Sequence, residues 1–218
     1  MFSRAQTTLA IVLVLGIALP SIVVAGDSPW RVRFGGLWAE PDLQFSETDD
    51  NGNRLGLASD GGFGVGLSFE GRLWRRLGVE FGVIRADSEI MLEVRPPGED
   101  ADTSTDALEF MPITAGFNFH FTPGMKADVY LGAAVAYIPY SNLVFTFQTE
   151  ESRESFSYAT ESDLGYMAQV GVDYGKEKWM LNFVLRYLDT TVRVIAPSGT
   201  ADIAFDPWIF QLGFGYRF

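Results

Sequence analysis

Few residues in this chain carry the chemistry of catalysis. There is one histidine, His120, and no cysteine. A histidine base works on a hydroxyl or thiol within hydrogen-bond reach. The polar neighbours on its segment, Thr114 and Asn118, do not form such a pair, so His120 reads as a polar interior residue. Without cysteine there is no thiol nucleophile, disulfide framework or thiolate metal site. The run Asp49-Asp50-Asn51-Gly52-Asn53 has the flavour of a calcium loop. It lacks the glycine and the closing glutamate at the required offsets, so it reads as a solvated turn. No catalytic residue, metal site or cofactor is expected. A net charge of −12 and pI near 4.4 exclude the basic surface that a nucleic-acid partner requires. What remains is charge set at every second position within otherwise apolar segments: Arg31 and Arg33, Glu70 and Arg72, Asp173, Arg217. That spacing puts charges on one face of a strand, where their chemistry is mutual ion pairing.

The elements that hold these residues follow a leader. Residues 1–8 contain Arg4 and no acid; residues 9–24 are almost wholly apolar, interrupted by Gly16 and Pro20. Val23-Val24-Ala25 offers small and apolar side chains where a signal peptidase reads them, which places the cut after Ala25. A membrane-anchoring helix is the alternative, but the run falls short of the roughly 20 residues a span needs. Residues 1–25 are therefore assigned to a cleaved signal peptide and 26–218 to the mature domain. The mature chain has no apolar run long enough for a helical span. Its only way across a membrane is a closed barrel, because hydrocarbon satisfies no backbone hydrogen bond.

The mature chain alternates. In the last segment Trp208, Phe210, Leu212, Phe214, Tyr216 and Phe218 share one face, while Ile209, Gln211, Gly213, Gly215 and Arg217 share the other. Large side chains on one face, aromatic at both ends, suit a lipid-facing wall with interfacial girdles. The same period recurs from Val65 onward, from Leu77 to Val83, from Val129 to Tyr137, from Tyr166 to Tyr174 and from Trp179 to Tyr187. Residues 30–39 and 108–121 fit it less cleanly and complete a set of eight. The connections at 74–76, 122–126 and 175–178 are short; those at 41–60, 95–106 and 149–163 are long and acidic, and a briefer one surrounds Pro197-Ser198-Gly199. The fold expected is an eight-stranded antiparallel transmembrane β-barrel with short periplasmic turns, long outer loops and both termini in the periplasm. Eight strands leave room for side chains or one small ligand.

Specific residues also carry a resemblance. Ala168-Gln169-Val170-Gly171-Val172-Asp173-Tyr174, Asp206-Pro207-Trp208-Ile209-Phe210, the closing Gly215-Tyr216-Arg217-Phe218, Tyr130-Leu131-Gly132-Ala133 and Gly78-Val79-Glu80 resemble the outer-membrane protein W (OmpW) family. The resemblance spans nearly the whole mature chain in order. It implies a bacterial outer-membrane location, in contact with membrane lipid and lipopolysaccharide. It also implies a barrel that helps small hydrophobic molecules cross, without catalytic residues. The long loops do not match, so no particular cargo is implied. Tyr216 and the terminal Phe218 resemble the signal read by the barrel-assembly machinery.

Strand direction gives each inward residue a height. Near the periplasmic end these are Arg31, Arg33, Glu70, Arg72, Glu80, Asn118, His120, Asp128, Gln169, Asp173, Asn182, Gln211 and Arg217. The charged members balance and are expected to pair as a floor. Near the outer end they are Leu37, Ile84, Leu108, Phe110, Pro112, Ile138, Met167, Leu188 and Ile209. Two readings follow: a hydrophobic pocket above a charged floor, or apolar side chains that fill a narrow barrel. Pro112 and Pro139 on neighbouring strands, and Pro207, lack the N–H of a ladder. Either they open the wall sideways toward lipid, or they sit harmlessly at strand ends. The first reading gives a channel for a small hydrophobic ligand, the second a structural or adhesive barrel acting through its loops.

Overall fold

The computed structural model describes residues 30–48, 52–98, 100–148, 153–175, 177–196 and 199–218. The segment read as a signal peptide, Asp49 to Asn51 of the acidic turn, and Pro197-Ser198 lie outside them. The described residues form strands β1 (Trp30–Glu40), β2 (Gln44–Thr48), β3 (Arg54–Asp60), β4 (Gly62–Arg72), β5 (Leu77–Arg95), β6 (Asp102–Phe110), β7 (Ile113–His120), β8 (Ala127–Ile138), β9 (Leu143–Gln148), β10 (Arg153–Glu161), β11 (Asp163–Tyr174), β12 (Trp179–Asp189), β13 (Thr191–Ala196), β14 (Gly199–Ala204) and β15 (Trp208–Arg217).

The wall is the antiparallel circuit β1-β4-β5-β7-β8-β11-β12-β15, closed where β15 returns to β1 in the register Arg31↔Arg217 through Glu40↔Trp208. It is the eight-stranded barrel expected from the alternation. Closure leaves no edge in the wall, so every strand of the circuit has partners on both sides. Phe34, Leu67, Phe117, Leu131, Leu181, Leu212 and Phe214 point outward and stay exposed, as a lipid-facing band requires. Rings mark both borders. Trp30 stacks on Phe69, and Trp179 meets Tyr216, at the periplasmic end; Trp38 meets Phe63, and Tyr187 meets Trp208, at the outer end.

The outer connections differ from the polar loops expected. They continue the wall as hairpins: β2 with β3, the upper half of β5 with β6, β9 with β10, and β13 with β14. β5 shows why. Its inward residues Ile84, Ala86, Ser88, Ile90 and Leu92 are buried, while Arg85, Asp87 and Glu89 alternate outward. The charges mark where the outer face leaves lipid, not where the strand ends. At about 3.3 Å per residue, β5 is far longer than the ~30 Å hydrocarbon core.

Residues 108–121, which fit the alternation poorly, are divided by Met111-Pro112 between β6 and β7. The register nevertheless runs through: Ala86↔Phe110 on one side continues as Val83↔Ile113 on the other.

Candidate functional site

The lumen contains two chemically distinct halves, both set by inward positions of the same strands. The lower half is centred on Arg33 of β1. Its Nη1 donates to Glu80 Oε2 at 2.7 Å, and its Nη2 to Glu70 Oε2 at 2.7 Å and Asp173 Oδ2 at 2.9 Å. Nε donates to Asp173 Oδ1 at 3.1 Å, and the guanidinium lies 4.8 Å from the centre of the Tyr130 ring. One planar fork thus joins carboxylates from β4, β5 and β11. Arg31, two residues earlier on the same face, donates to Asp173 and Asp128, each at 2.8 Å. Arg72 Nη2 donates to Asp128 at 2.7 Å.

Amides complete the floor. Asn118 Nδ2 donates to Glu70 and Glu80, Gln169 Nε2 to Glu80 and Asn118, and Asn182 Nδ2 to Asp173 and the Tyr130 hydroxyl. His120 Nε2 is 2.8 Å from Glu70 Oε1; its Nδ1 lies 3.1 Å from Asp128 Oδ2 but off the hydrogen-bond axis. Its partners are carboxylates, not a hydroxyl. Glycines make room for these long side chains: a Cβ on Gly171 would strike the Tyr130 ring, and one on Gly78 would strike the Glu70 carboxylate.

Of the charged floor residues read from the sequence, Arg31, Arg33, Glu70, Glu80, His120, Asp128 and Asp173 are buried in this network. Arg72 is half-buried at its lower rim, and Arg217 departs from it. Arg217 Nη1 donates to the carbonyls of Gly175 and Glu177, so it holds a periplasmic turn rather than pairing with a carboxylate. Sequence reasoning missed Arg186. It is buried, donating to Gln169 Oε1 at 3.0 Å and Gln211 Oε1 at 2.6 Å. Its signal was present, since period two carries the inward face from Asn182 to Val184 to Arg186. Arg186 caps the polar network directly beneath the apolar half.

In the upper half Leu37, Ile84, Leu108, Phe110, Ile138, Met167, Leu188 and Ile209 belong to one buried cluster, and Pro112 is buried at the same level. Leu108, Phe110, Ile138, Leu188 and Ile209 are each at most 1% exposed. No water-sized void therefore touches them: the space read as a hydrophobic pocket is closed by its own side chains. Phe205, not anticipated from the sequence, sits edge-on to Phe110 at 5.2 Å and near Tyr140 at 6.0 Å. Tyr140 is tied in turn to Thr190 by a 2.8 Å hydrogen bond. A hollow of about 540 Å³ does exist, but on the lipid side, where Gly36 leaves a gap among Phe34, Val65, Leu67, Leu212 and Phe214.

The prolines sit at this apolar level without breaking the register. The Pro112, Pro139 and Pro207 carbonyls accept from Ile84, Met111 and Leu188 respectively, at 3.0 to 3.1 Å. Each proline lacks the return donor of its pair, so the ladder loses one bond at each position. Pro112 and Pro139 deprive the two seams on either side of Met111-Pro112, which makes that stretch of wall the lighter bonded.

Comparison with known proteins places this arrangement. The sequence model of the OmpW family matches residues 25–218. The chain is 28% identical over 210 residues to an outer-membrane protein of Sinorhizobium fredii (strain NBRC 101917 / NGR234), y4mB, covering 90% of this chain and 82% of that one. It is 27% identical over 183 residues to outer membrane protein W of Escherichia coli (strain K12), covering 78% and 82%. Among solved structures, OprG from Pseudomonas aeruginosa superimposes with a TM-score of 0.63 at 20% identity, covering 88% of this chain and 96% of that one. AlkL, determined in lipid bilayers, gives 0.54 at 18% identity with 90% and 93% covered. Both share the barrel fold.

Proposed function

We propose, on the premise that the chain belongs to the OmpW family, that this bacterial outer-membrane barrel passes small hydrophobic molecules through its outer half and releases them sideways into the membrane. One observation carries this reading: an apolar interior stacked on a floor whose carboxylates are all held by arginine or histidine. An apolar molecule entering from outside exchanges like for like against Leu108, Phe110, Ile138 and Leu188. Further descent would part buried ion pairs and strand their charges. The prolines support a lateral exit, because opening the wall at Met111-Pro112 breaks fewer hydrogen bonds than elsewhere. With the interior packed, entry requires Phe110 and Phe205 to swing aside. Apolar contacts have no fixed direction and re-form around a guest. Lipopolysaccharide outside and the assembly machinery reading Tyr216 and Phe218 are the partners this reading carries with it.

A second reading rests on the packing itself: an interior so filled suits a structural or adhesive barrel that works through its outer hairpins. Replacement of Leu108 or Leu188 by Arg separates the two. In the channel, uptake of a small apolar compound falls in whichever of the two variants keeps normal folded abundance, while ion conductance stays low because the floor is intact. In the structural barrel, uptake does not change. Leu181→Arg is the control: a charge on the lipid face costs about 2–4 kcal/mol at the midplane and less toward the Trp179 girdle, two residues away. An equal uptake loss there would assign the effect to general destabilisation.

A further inference from the structure

Bases outside the floor lie at both ends of the molecule, but at the outer end Arg85, Arg95 and Arg193 are each paired with a carboxylate, whereas the described exposed bases of the periplasmic turns are not. Lys126 and Lys178 fall in short periplasmic turns, and the remaining such turn carries Arg75 and Arg76. The outer hairpins are acidic on balance: against Arg54, Arg85, Arg95, Arg153 and Arg193 stand Asp87, Glu89, Glu93, Asp102, Asp106 and Glu109 on β5 and β6 alone.

The turns form a connected rim. Gly175 N donates to Lys126 O and Arg217 N to Lys178 O, both at 2.8 Å, and His120 N donates to Arg76 O at 2.7 Å. Aromatic rings hold the lysines at the outer wall. Lys126 Nζ lies 4.6 Å from the centre of the Tyr174 ring, and Lys178 Nζ 5.9 Å from that of Tyr216. Tyr174 belongs to the exposed, lipid-facing set of its strand, so the Lys126 ammonium stands over the lipid wall rather than under the lumen. Trp74 and Trp179, each 65% exposed, mark the same level. Arg75, Arg76, Lys126 and Lys178 are exposed and make no ion pair with a described carboxylate; Glu177 is the acidic side chain of these turns. The floor's own rim residues turn away from this surface, with Arg72 Nη1 on Arg75 O and Arg217 Nη1 on Gly175 O.

We propose that this rim binds the phosphate headgroups of anionic phospholipid in the periplasmic leaflet. Ammonium and guanidinium groups on aliphatic stems reach the headgroup level while their stems stay against the aromatic girdle. Each exposed base attracts an anionic headgroup more than a zwitterionic one, and the attraction is screened by salt. The rim therefore gathers anionic lipid around the periplasmic end, whereas the acidic hairpins repel it at the other.

Bromine on an acyl chain quenches a nearby tryptophan, and Trp30, Trp74 and Trp179 stand at this rim. The folded mature protein is placed in phosphatidylcholine vesicles containing brominated phosphatidylglycerol or brominated phosphatidylcholine at matched mole fraction. Quenching by the anionic lipid is expected to exceed that by the zwitterionic one roughly twofold or more, and to fall to parity in high salt. The variant R75Q/R76Q/K126Q/K178Q is expected to reach parity while still migrating as a folded barrel. Should it fold poorly, R75Q/R76Q and K126Q/K178Q tested separately should each lose part of the preference. Equal quenching by both lipids in the unaltered protein, or full preference in every variant, overturns the proposal. So does co-sedimentation with purified peptidoglycan that depends on these bases in the absence of any lipid preference.

Discussion

The two halves of the lumen are built by the same eight strands with the same alternation, yet they are held together differently. In the lower half Arg33 alone reaches three carboxylates from three strands, at distances between 2.7 and 3.3 Å. Those bonds are directional, and the charges are out of water. In the upper half Leu108, Phe110, Leu188 and Ile209 meet their neighbours through apolar contact alone. Removing one member of a buried ion network strands the others, while removing part of an apolar cluster leaves a void of limited size. The lower half therefore fixes the barrel's shape, and the upper half can rearrange without losing the fold.

The sharpest test of that contrast is Arg33→Met. Glu70, Glu80 and Asp173 would lose their shared partner, at an expected cost of about 3–5 kcal/mol. Urea unfolding in detergent micelles should show a large drop in the midpoint, or the heat-modifiable band should vanish. Near-normal stability would mean that the floor does not fix the barrel. Phe205→Leu probes the upper half. It removes the ring against Phe110 and Tyr140 at a cost of about 1 kcal/mol. Uptake of an apolar compound should rise while unfolding shifts little; a barrel filled for structural reasons would show only the small loss of stability.

Deleting Phe218 acts on the closing seam below both halves. Its N–H donates to Trp30 O at 3.0 Å, and its ring sits 5.1 Å from Tyr216. The bond is worth about 1 kcal/mol. The larger consequence expected is less protein in the outer membrane and more periplasmic degradation, read by fractionation; unchanged levels would reduce Phe218 to a member of the girdle. The smallest change in stability belongs to Pro112→Ala combined with Pro139→Ala. Each restores a donor worth about 1 kcal/mol and gives up a chain restriction of about 0.4–1 kcal/mol. Stability should stay level while release into the membrane slows. Unaltered uptake kinetics would remove the lateral exit and leave the barrel.

The barrel, its strand count and the side to which each residue points were legible in the sequence, because pleated strands alternate and lipid demands a closed wall. That is why Arg31, Arg33, Glu70, Asp128 and Asp173 were recognisable as one interior set. Other features were not legible, each for a physical reason. Arg85, Asp87 and Glu89 hid the continuation of β5, since charge on an outward face looks the same in a loop as in a strand above the membrane.

Alternation assigns a face and a height, but not a partner across the lumen. Only the closed register sets Arg33 among Glu70, Glu80 and Asp173, and sends Arg217, on the same inward face, to the carbonyls of Gly175 and Glu177. Whether the apolar half stands open or filled was likewise undetermined, because it depends on the volume left between facing walls. In the folded barrel Phe205 takes that space, from a position outside any strand where alternation gives no guidance.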